Sequence, residues 1–247
     1  MSKDTIEGRN PVMEALKSGR EIEKILVAKG AREGSINKII GMAKDKSVFY
    51  QYVERQKLDE IATTNNHQGV IALVAAYKYR DLDDILEIAK RKNQDPFIII
   101  LDEIMDPHNL GSIMRTADAV GAHGIIIPKR RSVGLTAAVA KTSAGAIEYV
   151  PVAKVSNIAQ TIEKLKQNGL WIVGADSGGD RDYFYGDMKG PLGLVIGNEG
   201  KGISRLVKEK CDFIVKIPML GKLASLNASV AAAVLMYEVH RQKSMTN

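Results

Sequence analysis

The chain has 247 residues, of which 45% are hydrophobic, and its 35 lysines and arginines against 29 acidic residues give a formal net charge of +6. This length allows one large domain or two modest ones. The sequence has no apolar run of about 18 residues and no basic-then-apolar N-terminus, so it indicates neither a membrane span nor a secretory signal, and we expect a cytoplasmic protein.

Cysteine and histidine usage limits the redox and metal chemistry that the chain can carry. A single cysteine, Cys211, excludes an internal disulfide. The four histidines have no spacing to cysteines or carboxylates that is typical of a metal site, and we expect none. They are His67, His108, His123 and His240. The positive charge suits a polyanionic partner such as nucleic acid, although many basic proteins bind none.

Residues 1–79 predict a small α/β domain. Its expected elements are a helix at Pro11–Lys17, an apolar segment at Ile22–Ala28, a helix at Ser35–Lys44, a strand at Val48–Val53, a short helix at Leu58–Ala62 and a β-rich run at Gly69–Ala75. Residues 80–95 are charged, contain one amphipathic helix and end at Asn93-Gln94-Asp95-Pro96. This composition predicts a linker.

Residues 96–247 predict a second α/β domain with a parallel sheet. Short apolar runs alternate with helical stretches, which is typical of strands covered on both faces. Strands are expected at Phe97–Leu101, Gly124–Ile127, Trp171–Gly174, Leu192–Ile196 and Phe213–Ile217. Helices are expected at Leu110–Val120, Thr136–Ala144, Asn157–Asn168, Ser204–Lys210 and Leu226–Arg241.

The first candidate site is Asp106–Arg115, DPHNLGSIMR, which follows the first strand of the second domain. Ligands of open α/β sheets bind at the carboxyl ends of the strands. A helix with Asn109 as its N-cap and Gly121 at its end accounts for the apolar positions. It leaves Arg115 unexplained, because this arginine projects from the polar side about 9 Å along the axis.

The second candidate site is the glycine-rich run Gly197–Gly202, GNEGKG, directly after the strand Leu192–Ile196. Its glycine spacing does not fit a P-loop, and the first strand is not followed by G-x-G-x-x-G, so a dinucleotide site is not indicated. Glycines here allow the backbone to approach a ligand closely. A simple turn would explain the glycines but not Glu199 between them.

The third candidate site joins Ile217-Pro218-Met219 to Ser225-Leu226-Asn227-Ala228-Ser229, where a strand ends and a helix begins. Capping alone could explain Ser225 or Asn227. The helix that follows is rich in alanine, which allows very close approach of another backbone. That backbone could belong to the same chain or to a second subunit.

Together these three clusters resemble the three signature motifs of the SpoU branch of the SPOUT RNA methyltransferases, over Phe97 to Arg241. The front domain, with G-R-N-P-V near its start and H-Q-G at His67–Gly69, is similar to the ribosomal-protein-like substrate-binding domain of one subgroup. That subgroup methylates the 2′-hydroxyl of a guanosine in 23S ribosomal RNA. The resemblance implies a deep trefoil knot, a rare topology, and a homodimer with active sites at the subunit interface.

The resemblance also implies roles for single residues. The cofactor S-adenosylmethionine would be held by Gly197, Ile217 and Leu226, with Gly174 and Met219 lining the same pocket. The catalytic set would be Asn109, Arg115, Glu199, Ser225 and Asn227. Asn198 departs from the pattern, since relatives carry a small Ser or Ala there, and we expect it to alter cofactor affinity without abolishing activity.

The chemistry of the guanidinium limits what Arg115 can do. It stays protonated in nearly all proteins, so it is better suited to binding a phosphate and stabilising a developing alkoxide than to acting as a base. Asn109 and Asn227 would orient it, and Glu199 would brace the loop or accept the proton.

The basic run Lys129-Arg130-Arg131 follows the second strand of this domain and is interpreted equally well as a solvated turn or as a phosphate contact. Two alternative functions stay open beside a 23S ribosomal RNA methyltransferase. One is a methyltransferase that acts on tRNA or on another ribosomal RNA position. The other is a non-catalytic RNA-binding module of the same fold.

Overall fold

The computed structural model of the chain describes residues 4–20, 22–31, 34–64, 66–74 and 77–245. Ala75, the last residue of a predicted run, lies outside them. Tertiary contacts divide the chain into two compact units, the first made of residues 1–78 and 134–149 and the second of residues 79–133 and 150–247. Within the described part, no helix is long and apolar enough to cross a membrane.

The elements alternate along the chain as expected for an α/β protein. The strands are β1 (Asp4–Glu7), β2 (Ile22–Ala28), β3 (Tyr50–Val53), β4 (Val70–Val74), β5 (Phe97–Leu101), β6 (Gly124–Pro128), β7 (Val152–Val155), β8 (Trp171–Ala175), β9 (Arg181–Asp182), β10 (Leu192–Ile196) and β11 (Phe213–Lys216). The α-helices are α1 (Arg9–Ser18), α2 (Gly34–Asp45), α3 (Arg55–Ile61), α4 (Leu82–Arg91), α5 (Pro107–Ala119), α6 (Ala137–Thr142), α7 (Ile158–Gln167), α8 (Arg205–Lys208) and α9 (Ala228–Ser244). Two short 3₁₀ helices lie at Ala146–Glu148 and Tyr183–Tyr185.

The first unit is built on a four-stranded sheet in the order β1-β4-β2-β3. Strand β4 pairs antiparallel with both β1 and β2, and β3 runs parallel to β2. Apolar residues of α1 and α2 pack on one face of this sheet and Leu58 of α3 packs in a separate cluster with Ile71. The predicted α/β class of this part is therefore confirmed, with β1 as an additional strand.

Residues 134–149 belong to the first unit, whereas the sequence placed them in the second domain. The side chains of Arg20 and Glu148 form an almost buried ion pair at 3.0 Å, and the Lys141 ammonium donates to the Thr64 hydroxyl at 3.3 Å. Side chains this far apart in sequence have no shared periodicity. Sequence spacing therefore could not assign the segment to this core.

The second unit is built on a seven-stranded sheet in the order β7-β6-β5-β10-β8-β11-β9, and every strand pairing in it is parallel. Every residue of β5 and β10 is buried. This confirms the predicted parallel sheet. Strands β7 and β9 were not predicted, because the first has only four residues and the second only two.

The predicted linker at residues 80–95 packs as part of the second unit. Ile85 of α4 is fully buried in the same cluster as Ile98, and the Arg80 backbone N–H donates to the Val152 carbonyl. A methyl group added at Gly124 would lie 2.7 Å from Ile85. The polar composition of the segment reflects one solvated face of an amphipathic helix.

His123 ties the start of β5 to the end of the turn before β6. Its Nδ1 accepts a hydrogen bond from the Phe97 backbone N–H at 3.0 Å, and its Nε2 lies 3.1 Å from the Gln94 side-chain oxygen. Burial, together with the charges of Lys92 and Lys243, lowers the pKa of His123 to about 4. Its imidazole is therefore neutral in the folded protein across the physiological range.

We expect the free energy of unfolding to decrease as the pH falls from about 6.5 to 4, because in this window the unfolded chain binds a proton at His123 that the folded chain excludes. A depression from 6.5 to about 4 corresponds to a loss of roughly 3 kcal/mol by pH 4. Urea unfolding at several pH values measures it. A His123→Gln variant should lose much of this slope, and an unchanged slope would contradict the assignment.

Candidate active site

Helix α5 brings Asn109 into the interior beside the carboxyl ends of the strands. The helix is capped by Asp106, whose side chain accepts a hydrogen bond from the His108 N–H at 2.9 Å, and Pro107 occupies its first turn. The expectation that Asn109 is the N-cap is wrong, because an Asp followed by Pro begins the helix three residues earlier. Asn109 is 5% exposed, and its amide is free to make tertiary contacts.

The loop after β10 is folded tightly on itself. The backbones of Asn198 and Gly202 exchange two hydrogen bonds, at 3.0 and 2.8 Å. A Cβ atom added to Gly197 would lie 2.3 Å from the Gly202 carbonyl carbon, a distance that no side chain tolerates. Gly197 is therefore required for the close approach of the two loop ends.

The side chain of Asn198 shapes the same loop from inside. Its Oδ1 accepts hydrogen bonds from the backbone N–H groups of Gly200 and Lys201, and its Nδ2 donates to the Glu103 carbonyl at 3.0 Å. A serine or alanine at this position would lose most of these contacts. The side chain of Asn198 thus fixes the loop to the segment that follows β5.

Glu199 joins the three sequence clusters in one hydrogen-bonded network. Its Oε1 accepts from the Asn109 Nδ2 at 2.8 Å, from the Ala228 backbone N–H at 3.2 Å and, at close range, from the Asn227 Nδ2. The Asn227 Nδ2 also donates to the Asn109 Oδ1 at 3.0 Å. Asn109, Glu199 and Asn227 come from three separate loops or helices, and the structure brings them together.

Asn227 also caps α9, which fixes its orientation. Its Oδ1 accepts from the Ser229 backbone N–H at 2.9 Å and from the Ser229 hydroxyl at 2.6 Å. Of the two capping candidates in the sequence, the structure therefore selects Asn227. Ser225 lies two residues earlier with its side chain exposed.

Arg115 stands apart from this network. It is exposed on α5, and within the described ranges its guanidinium makes no hydrogen bond or ion pair. Six residues separate it from Asn109, which is about 9 Å along the helix axis. In a single chain Arg115 therefore does not complete the network that Asn109, Glu199 and Asn227 form.

A cavity of about 350 Å³ opens beside the network at the ends of β8, β10 and β11. Four of the five predicted cofactor residues line it, together with two of the predicted catalytic residues: Gly197, Ile217, Met219, Leu226, Glu199 and Ser225. Gly174 does not line it. This glycine lies within β8, where an added Cβ would be 2.6 Å from the Ile214 side chain, so it serves close packing.

Sequence reasoning missed three cavity residues that carry polar side chains: Asp176, Ser177 and Lys201. Asp176 and Ser177 directly follow β8, so the strand-end rule that selected the other clusters could have selected them. Lys201 lies between two glycines of a run that was already singled out. Among the described side chains, no cluster of three or more His, Cys, Asp or Glu could hold a metal ion.

The basic run after β6 is exposed, but its three side chains differ. Arg131 pairs with the Glu103 carboxylate at 3.1 Å, and both residues have a left-handed backbone, with φ of 57° and 59°. Lys129 and Arg130 are exposed, and neither side chain has a bonding partner in the part of the chain that the structure describes. Lys129 and Arg130 can therefore contact a phosphate without first breaking an ion pair.

These features define an α/β protein with a ligand cavity and a polar network at the carboxyl edge of a parallel sheet. Comparison with known families is specific. The family model described as "SpoU rRNA Methylase family" matches residues 96–237, and the model described as "RNA 2'-O ribose methyltransferase substrate binding" matches residues 5–80. The chain therefore belongs to the SpoU family of RNA methyltransferases.

Curated relatives match over nearly the whole chain. A putative TrmH-family tRNA/rRNA methyltransferase, YacO, of Bacillus subtilis is 56% identical over 98% of this chain and 96% of its own length. A protein of the same description from Staphylococcus aureus is 51% identical, covering 98% of each chain. These alignments leave almost no part of the chain unmatched.

Solved structures share the fold. The SpoU methyltransferase AviRb of Streptomyces viridochromogenes, solved in complex with AdoMet, superposes with a TM-score of 0.82 at 26% identity, covering 98% of this chain and 91% of its own. An rRNA methyltransferase of Sinorhizobium meliloti gives a TM-score of 0.78 at 23% identity, with coverages of 97% and 87%. The predicted SPOUT fold class is thereby confirmed.

Replacing Gly197 with alanine should lower cofactor affinity at least tenfold, because the added methyl forces the two ends of the loop apart. The matched control is Gly190→Ala, where an added Cβ meets nothing within 4 Å. Isothermal calorimetry with S-adenosylmethionine measures both variants. Equal affinities of the two variants would show that the loop closure at Gly197 is not needed for binding.

Proposed function

We propose that this SpoU-family RNA methyltransferase transfers the methyl group of S-adenosylmethionine to the ribose 2′-hydroxyl of a guanosine in 23S ribosomal RNA. The observation that carries the proposal is the Asn109, Glu199 and Asn227 network at the edge of the cavity. Glu199 belongs to a loop that lines this cavity, which supports a cofactor site directly beside the network. An RNA ribose reaching the network would meet amide groups held in fixed orientations.

The cavity suits this cofactor. Its walls combine the apolar side chains of Ile196, Val215, Ile217 and Leu226 with the exposed backbone of the Gly197–Gly202 loop. Apolar walls with a few placed polar groups are typical of cofactor sites. When bound, the cofactor supplies an electrophilic sulfonium methyl. The chain then has to place the hydroxyl in line with that methyl and give its proton a route away, so positioning supplies much of the rate.

We propose a role for each residue of the site. The Glu199 Oε1 accepts three hydrogen bonds and thereby fixes the amides of Asn109 and Asn227. Its Oε2 accepts no hydrogen bond from the described residues, and it can take the proton of the hydroxyl. Arg115 binds the adjacent phosphate and stabilises the developing alkoxide through charged, directional donors. Ser225 at the cavity rim orients the ribose.

Substrate choice between ribosomal RNA and tRNA rests on the front unit. The match of residues 5–80 to a substrate-binding family supports an RNA target, and the relatives are named for both RNA classes. Nucleoside mass spectrometry of 23S ribosomal RNA and of tRNA from a deletion strain identifies which RNA is methylated. Loss of a 2′-O-methylguanosine from tRNA alone would establish the alternative, and no loss from either would favour a non-catalytic RNA-binding module.

We further expect a homodimer with Arg115 reaching the site of the partner subunit. On α9 the exposed side chains of Val230 and Tyr237 lie two turns apart on one helix face. Large apolar side chains exposed together on one helix face favour a protein contact. The family also implies a trefoil knot near the C-terminus, which stays a prediction.

Replacing Arg115 with alanine or lysine should reduce kcat about 10²–10³-fold, because a charged donor aimed at a developing oxyanion is lost or loses its planar fork. The melting temperature should hardly change, since exposed substitutions usually alter stability by less than about 0.5 kcal/mol. Single-turnover methylation and thermal unfolding measure the two effects. Arg91→Ala, on the exposed face of α4, is the control.

Mixing Arg115→Ala chains with chains that cannot bind cofactor, such as Leu226→Arg, tests the shared site. Heterodimers should regain activity if the arginine comes from the opposite subunit. Mixtures that stay inactive although heterodimers form would confine the site to one chain. Full activity of the Arg115→Ala homodimer would refute the role of this arginine altogether.

Removing the charges of Lys129 and Arg130 should weaken RNA binding without changing cofactor affinity. Each lost phosphate contact should reduce the slope of log affinity against log salt by about one. Arg131→Gln should have a smaller effect, because Glu103 already pairs with its guanidinium. Fluorescence anisotropy with a ribosomal RNA fragment over a salt series measures this, and unchanged slopes would mean a solvated turn.

A further inference from the structure

Asp176 is a charged cavity residue that the catalytic network does not use. It directly follows β8 and lines the cavity, and its side chain is 14% exposed. Its Oδ1 accepts hydrogen bonds from the Lys208 ammonium and from the Gly178 backbone N–H, both at 2.9 Å. A buried carboxylate needs such partners, but the partners alone do not explain its place in the cavity wall.

The carboxylate of Asp176 is ionised. Burial opposes its charge, but the Lys208 ammonium and the backbone N–H groups of Gly178 and Ile203 outweigh burial and hold the pKa of Asp176 below its ordinary value. An ionised carboxylate only accepts hydrogen bonds, at about four lone-pair sites. Three protein donors therefore leave it with unused acceptor capacity toward the cavity.

Space around the second oxygen is kept open by a glycine. The Asp176 Oδ2 faces Gly202, where an added Cβ would lie 2.7 Å away, and Gly202 has a φ of 67°. The loop that bears Glu199 therefore closes directly over the Asp176 carboxylate. The same loop contacts the catalytic network through Glu199 and Asp176 through Gly202.

The charges of Asp176 and Lys208 determine which kind of ligand group can donate a hydrogen bond to the Asp176 carboxylate. Because Lys208 already compensates the negative charge, the site gives little net attraction to an ammonium group. A neutral hydroxyl suits it better, since a carboxylate accepts strong hydrogen bonds from hydroxyls. The cofactor has two such groups, both on the ribose, and its ribose is bonded directly to the sulfonium that must face Asn109 and Asn227.

We infer that Asp176 binds the cofactor by accepting a hydrogen bond from a ribose hydroxyl, an inference that rests on the proposed use of S-adenosylmethionine. Strand order supports this placement. Asn109 lies on the segment after β5 and Asp176 follows β8, and β10 separates these two strands in the sheet, so the two strand ends are about 10 Å apart along the sheet edge. Asp176 thus fixes the nucleoside while the network acts on the methyl end.

Calorimetry with three ligands and the full-length protein tests this inference. The ligands are S-adenosylhomocysteine, its 2′,3′-dideoxy form and 5′-methylthioadenosine, which keeps the ribose but lacks the amino acid. The wild-type protein should bind the dideoxy form 10- to 100-fold more weakly than S-adenosylhomocysteine, as expected for a hydrogen bond to a charged group. Asp176→Asn should bind S-adenosylhomocysteine and its dideoxy form with nearly equal affinity. It should also bind 5′-methylthioadenosine 10- to 100-fold more weakly than the wild-type protein does.

The ratio of the affinities for S-adenosylhomocysteine and its dideoxy form is compared within one variant, so a general loss of affinity caused by a distorted cavity does not affect it. Asp176→Glu keeps a carboxylate near Lys208 but moves it by one methylene, so it should lose part of the discrimination and serves if the asparagine variant folds poorly. Undiminished discrimination in both variants would overturn the inference. So would weakened S-adenosylhomocysteine with unchanged 5′-methylthioadenosine, which would assign Asp176 to the ammonium. A wild-type protein that binds none of the ligands would instead refute the proposed function.

Discussion

The convergence of three donors on one oxygen of Glu199 is the interaction on which the site depends. Asn109 comes from the first turn of α5, and Asn227 and Ala228 come from the start of α9. A single carboxylate thereby joins the glycine loop to two helices that pack against each other. Because Asn109 and Asn227 stand on helices and hold Glu199 of the tightly folded loop, the network is formed without substrate, which is the condition for effective positioning.

The parallel sheet explains why these groups can converge at all. Strands β5, β10 and β8 are neighbours in the sheet, and all of them end at the same edge. Each loop that follows therefore starts within about 5 Å of the next. Glycine is needed where the two ends of the loop touch, as at Gly197. In the tight turn that results, the side chain of Asn198 accepts a hydrogen bond from the backbone N–H of Gly200.

Residue patterns predicted much of this fold and part of the site, and the failures have physical causes. Strands β5 and β10 were placed correctly because burial on both faces leaves an unbroken apolar run. Asn109 was assigned to a cap because side-chain hydrogen bonding is ambiguous in sequence, and Asp106 with Pro107 competes for the same role. Gly174 was placed at the cofactor pocket by the family resemblance alone, and a glycine required for packing looks the same in sequence as one that lines a pocket. Asp176 was missed although it directly follows β8 and the strand-end rule covers it, because it lies outside the three candidate clusters.

The first unit is made of two separate chain segments, and this limits how substrate binding can be separated from cofactor binding by truncation. The chain leaves the second unit after Val133 and returns at Val150, and the excursion supplies Glu148 to the almost buried pair with Arg20. Removing residues 1–79 would leave Glu148 without this partner, and a buried charge deprived of its partner is strongly destabilising. The boundary that the sequence suggested therefore cannot serve as a clean cut. Substrate affinity has to be separated from cofactor binding by single substitutions in the intact chain.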